Sequence, residues 1–144
     1  MKGNDLSLEE MLPLMLDVLK SGGEFSFYPQ GTSMLPLLRE GTDSVILRTC
    51  GGIKKNNIYL YKRNNGDYVL HRAIKLCADG TLCFCGDNQS IIERGVHREQ
   101  IIAQVVAVVR DKKRMGTGSF WYRLTHLSAP ARAFRFRKRL NRSI

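Results

Sequence analysis

The sequence predicts a mainly β domain: a coiled or partly barrel-like sheet with a short N-terminal helix and a basic helical C-terminal segment. Three observations point there. Six short apolar or alternating runs lie between residues 25 and 109. Gly-containing turns separate them at close intervals. Helical periodicity is confined to the two ends of the chain. A chain of 144 residues has room for one domain with a modest core.

The first element spans residues 7–20. Ser7 with Glu10 three residues later forms a capping-box pattern, and Leu8, Met11, Leu12, Met15, Leu16 and Leu19 recur at helical spacing. Pro13 is expected to bend this helix, and Ser21-Gly22-Gly23 to end it. Strands are predicted over 25–28, 44–48, 58–62, 68–77, 82–85 and 101–109. Asn64-Asn65-Gly66-Asp67 and Ala78-Asp79-Gly80-Thr81 read as hairpin turns, with Gly supplying the positive φ. Beyond Lys112, Phe120, Trp121, Leu124 and Leu127 share helical spacing until Pro130 interrupts them. The expected organisation is one body over 1–111 and a distinct segment over 112–144.

Charge divides the chain at the same point. The net charge is +10, yet all 13 acidic residues lie at or before Asp111, balanced there by as many Lys and Arg. The whole excess therefore sits in the tail. In it, Arg132, Arg135, Arg137, Lys138, Arg139 and Arg142 are interleaved with Phe134, Phe136 and Leu140. That pattern suits an anionic membrane surface, where aromatic rings enter the interface and Arg stays with the headgroups. Single-stranded nucleic acid is the less favoured partner for the same pattern.

Nothing near the N-terminus reads as a secretory signal, and the apolar run near Met11 to Leu19 is broken by Pro13 and Asp17 and is too short to span a bilayer. The expectation is a cytoplasmic protein without a transmembrane segment, held peripherally at the inner face of the membrane. Cys50, Cys77, Cys83 and Cys85 are then reduced thiols. Their spacing supplies no fourth tetrahedral ligand, so they read as strand residues rather than a metal site. No cofactor is implied.

Reactive residue types concentrate in three segments: Gly31-Thr32-Ser33-Met34-Leu35-Pro36, Tyr68-Val69-Leu70-His71-Arg72 and Phe84-Cys85-Gly86-Asp87-Asn88-Gln89. Each alone is ordinary: a turn serine, a strand histidine, a polar loop. In combination they suit nucleophilic catalysis. A serine hydroxyl attacks only when a base removes its proton, neutral imidazole is suited to that at pH 7, and a carboxylate orients the imidazole.

Gly31-x-Ser33-Met34-x-Pro36-x-Leu38 followed by Gly41-x-Asp43 resembles the nucleophile box of the signal peptidase I and LexA-like serine peptidase superfamily. Val69-Leu70-His71-Arg72 resembles the general-base box in its histidine form, as in the endoplasmic-reticulum type of signal peptidase. Gly86-Asp87-Asn88 resembles the third box. The resemblance covers residues 25–109 and implies Ser33 as nucleophile and His71 as base. It implies Asp87 as the orienting acid, with Glu93, six residues later, as the alternative. The backbone N–H of Ser33 is the implied oxyanion donor. Gly31 stands where many signal peptidases carry a second hydroxyl.

The implied reaction is cleavage of a precursor or leader peptide through an acyl-enzyme. A base starting near the ordinary imidazole value of ~6.5 would give activity that rises through neutrality. Two other readings are open. A self-cleaving repressor would need a DNA-binding module, an Ala-Gly scissile pair and a Lys base, and the sequence offers none of these. A non-enzymatic membrane-surface or nucleic-acid binding module would use the tail alone.

Overall fold

A computed structural model describes residues 6–117. The helical reading of the segment beyond Thr117, and the basic tail residues Arg132 to Arg142, lie outside the described residues. Helix α1 (Leu8–Lys20) is capped by Ser7, whose hydroxyl accepts from the Glu10 N–H while Glu10 accepts from the Ser7 N–H. It runs on through Pro13. Its apolar stripe buries Met15 and Leu19 and lays Leu8, Met11 and Leu12 against the sheet.

The remaining elements are strands β1 (Phe25–Phe27), β2 (Ser44–Arg48), β3 (Ile58–Lys62), β4 (Tyr68–Leu76), β5 (Leu82–Cys85), β6 (Glu93–Val96), β7 (Ile101–Arg110) and β8 (Lys113–Gly116), with one turn of 3-10 helix (Arg98–Gln100) between β6 and β7. The strands form one antiparallel sheet in the order β1-β2-β7-β3-β4-β5-β6, with β8 also paired to β7. The sheet is not closed. Strands β6 and β8 are additions to the sequence reading, and β8 carries the sheet past residue 111. The β7–β8 turn is made by Asp111 and Lys112 at φ of 51° and 62°, not by glycine.

Strand β3 is buried on both faces and separates two apolar clusters. Ile58 and Leu60 join the cluster under α1, together with Met34, Leu37 and Leu38 from the loop after β1. Tyr59 and Tyr61 point the other way, toward Val69, Ala73, Leu82 and Phe84. Alternation of side chains along a strand decides which face each residue serves. Among the described residues no helix is long and apolar enough to cross a membrane.

Candidate active site

His71 lies in the middle of β4, opposite Tyr59 in the β3–β4 ladder. It therefore shares the tyrosine face, and Tyr61 lies diagonally across from it. The residue is 2% exposed. Its Nδ1 is 3.4 Å from the Tyr61 hydroxyl and 3.9 Å from Glu93 Oε1. Glu93 reaches this face because β6 pairs with β5, setting Glu93 opposite Phe84, whose ring lies 4.5 Å from that of Tyr61. Glu93 Oε2 accepts the Tyr61 hydroxyl at 2.8 Å. Its Oε1 accepts the Arg63 guanidinium, including an Nε contact of 2.9 Å.

The electrostatics follow from burial and these partners. Burial pushes His71 down to about 4; Glu93 and Asp87 oppose that shift and Arg63 adds to it. His71 is therefore neutral throughout the physiological range, and its titration lies well below the neutral region that an ordinary imidazole implies. Burial disfavours the Glu93 carboxylate, but Arg63 and Tyr61 outweigh it and hold the group below its usual range.

Asp87 takes a different partner. Arg72 donates to both of its oxygens, at 2.8 and 2.7 Å, and also to the Asn56 carbonyl at 2.6 Å. Arg72 is one residue from His71, so its side chain leaves β4 on the opposite face. What Asp87 contributes to His71 is a through-space charge effect. The carboxylate nearer to Nδ1 is that of Glu93.

Ser33 lies in the irregular loop between β1 and β2, where Gly31 adopts φ 89°. Three apolar anchors, Met34, Leu37 and Leu38, sink the far side of this loop into the core. Asp43, fully buried, closes it. It accepts the Arg39 N–H at 2.8 Å and two N–H groups of Arg110, at 2.9 and 2.6 Å, while Arg110 also donates to the Leu37 carbonyl. Desolvation alone would raise the Asp43 carboxyl, yet Arg110 and the Arg39 amide hold it below its usual range. On the near side, Asn88 donates its backbone N–H to the Ser33 carbonyl at 2.8 Å and its amide to the Thr32 carbonyl at 3.2 Å. The Ser33 N–H makes no hydrogen bond to any described residue.

Loop and strand meet at Gly86. A Cβ there would lie 2.6 Å from the Ser33 carbonyl oxygen and 3.1 Å from His71 Nε2. The two residues line one open cleft of about 230 Å³, with Gly31, Met34, Leu70 and Gln89 among its walls. Cys85 pairs with Arg72 and so lies on the face opposite His71, and burial pushes its thiol up to about 11, which keeps it protonated.

The four residues singled out from sequence thus divide: Ser33, His71 and Glu93 gather around one cleft and its rear wall, and Asp87 braces the turn beside them. Tyr61, Arg63 and Arg110 carry no motif signal, because their roles arise from cross-strand register and long-range pairing; Arg72 stands in the His71 segment, but its pairing with Asp87 is likewise long-range. No protein-family model matches the chain, and no curated protein sequence matches it.

Proposed function

We propose that the chain is a serine peptidase of the signal-peptidase type with a histidine base. Ser33 is the nucleophile, His71 Nε2 the base, and Glu93, in preference to Asp87, the carboxylate that compensates the imidazolium. The observation that carries this reading is the seam at Gly86, where the Ser33 backbone and His71 Nε2 approach one point beside a shared cleft. Motif order supports it further, since the three resembling segments are the three that converge.

In the proposed reaction Ser33 Oγ bonds to the scissile carbonyl carbon as its proton passes to Nε2. The C–N bond then breaks, and the same proton leaves on the amine product. Water repeats the sequence on the acyl-enzyme, releasing the carboxylic product and restoring the hydroxyl. The Ser33 N–H is the proposed oxyanion donor. The substrate class is a precursor or leader peptide. For the basic tail, peripheral contact with an anionic membrane is proposed from its charge and aromatic content alone.

The test pairs a serine-directed fluorophosphonate with cleavage mapping of a peptide library by mass spectrometry. Wild type should be labelled at Ser33 and should cut peptides. Ser33→Ala and His71→Ala should lower turnover by at least ~10⁴-fold while remaining folded. Full activity in Ser33→Ala would refute the assignment.

A further inference from the structure

Behind His71 the Tyr61 hydroxyl lies between two acceptors but has only one proton to give. The carboxylate oxygen Oε2 of Glu93 is 2.8 Å away and the imidazole Nδ1 is 3.4 Å away. The shorter contact to the charged acceptor takes the proton. Toward Nδ1 the phenol then presents only lone pairs, and that contact is attractive only when Nδ1 itself bears a hydrogen. The group cannot turn away easily. Tyr61 is fully buried, with its ring against Phe84, and Arg63 occupies the other oxygen of Glu93. Burial first, and the carboxylate second, drive the phenol well above its usual range, so it stays protonated.

We propose that Tyr61 is a positioning residue whose hydroxyl, donating to Glu93, keeps the ring proton of His71 on Nδ1 and leaves the lone pair on Nε2. Nε2 is the atom at the Gly86 seam, on the side of the Ser33 loop. What the lone pair does there rests on the peptidase reading; where the proton sits rests on the hydrogen-bond geometry alone. Glu93 then acts on the imidazole largely through the phenol, so the carboxylate needs no direct bond to the ring.

The experiment is long-range ¹H–¹⁵N correlation spectroscopy of ¹⁵N-histidine-labelled protein at pH 7, with His71 assigned by comparison with His97→Gln and His126→Gln. These spectra distinguish the ring nitrogen that bears hydrogen from the one with the lone pair. Wild type should hold the proton on Nδ1. Tyr61→Phe keeps the ring and loses the acceptor, so the tautomer ratio should move toward Nε2–H by about fivefold to tenfold, the equivalent of one hydrogen bond. In Glu93→Gln, Arg63 holds the amide oxygen, so the amide NH₂ donates to Tyr61. The phenol proton then turns to Nδ1, and the ring proton should move to Nε2. In both variants kcat should fall, by up to ~100-fold, with little change in KM.

A wild-type proton on Nε2, or variants with an unchanged tautomer ratio, would overturn the assignment. Should Tyr61→Phe not fold, the wild-type and Glu93→Gln spectra still decide it. Tautomers that shift as expected in a protein inert to the serine-directed probe would uphold Tyr61 and sink the peptidase reading instead.

Discussion

Ser33 stands in an irregular loop between β1 and β2, whereas His71 stands within β4, paired with Tyr59 of β3, and the β5 ladder begins at the next residue, Arg72. His71 inherits its position from the sheet: register fixes its neighbours, and Tyr61 and Glu93 reach it only because β3, β5 and β6 are in place. The loop has no ladder to hold it. Its position comes from three buried apolar side chains and a few long-range polar links, chiefly Asp43 with Arg110 and Asn88 with the Ser33 carbonyl. One half of the site should therefore fail when the sheet fails, and the other when single side chains are changed.

Asp43→Asn should show the largest loss of stability. The side chain is fully buried and accepts three N–H groups, and the neutral amide faces at least one of those donors with its own NH₂. Breaking one partner of a buried pair typically costs about 3–5 kcal/mol, and partial exposure of Arg110 places this case near ~3 kcal/mol. Urea unfolding measures it directly. The comparison predicts that the His71 tautomer stays unchanged in this variant, because the damage is confined to the loop. A loss under ~1 kcal/mol would show that the loop is held by its apolar anchors alone.

On the strand side the corresponding probe is pH. The folded value for His71, about 4, lies below the ordinary unfolded value of ~6.5, so between them the unfolded chain binds more protons. Stability should fall as pH drops through this window, by up to ~3 kcal/mol, and level off below pH ~4. His71→Gln should flatten that part of the profile. Activity should follow the same group: the acid limb of kcat/KM is expected near pH 4, with a plateau through neutrality. A limb centred near ~6.5 would mean that the imidazole is hydrated in the protein as it turns over.

Most of this frame was legible in the sequence where patterning is local. Strands β2, β3 and β5 match their predicted bounds, because apolar runs closed by turn residues define them without reference to anything distant. Ser7 and Glu10 likewise announce α1. Strands β6 and β8 escaped notice because Glu93-Arg94-Gly95-Val96 and Lys113-Arg114-Met115-Gly116 are polar or glycine-containing and gain their form from a neighbour. Missing β6 had a consequence at the site. Without it, Glu93 reads as a loop acid, and Asp87, the acid of the Gly86-Asp87-Asn88 segment, is the one the resemblance places first. His71 and Arg72 serve opposite faces: Arg72 pairs with Asp87, whereas Glu93 lies 3.9 Å from His71 Nδ1.

Gly86→Ala should cost the least stability and yet bear most directly on the comparison, because it acts where loop and strand touch. The added methyl would meet the Ser33 carbonyl at 2.6 Å, Gln89 Oε1 at 3.0 Å and His71 Nε2 at 3.1 Å. Gln89 can swing aside. His71 cannot, being packed within the sheet. The carbonyl can yield only by moving the loop, which strains its 2.8 Å bond from Asn88. Overpacking of this kind costs about 1–3 kcal/mol. The loop, as the more weakly held partner, should do the moving, and Ser33 would then be carried away from the imidazole. A shift of about 1 Å at a reacting atom can cost ~100-fold in rate, so kcat should fall by about that factor while KM changes little. Gly51→Ala, at a site with open space around the added carbon, is the matched control and should leave stability and rate unaltered. Long-range ¹H–¹⁵N spectra of Gly86→Ala should still show His71 with its proton on Nδ1, since the tyrosine side of the ring is untouched. Undiminished turnover in Gly86→Ala would show that the nucleophile is not placed through this seam, whereas a disturbed tautomer would show that the strand, not the loop, gives way.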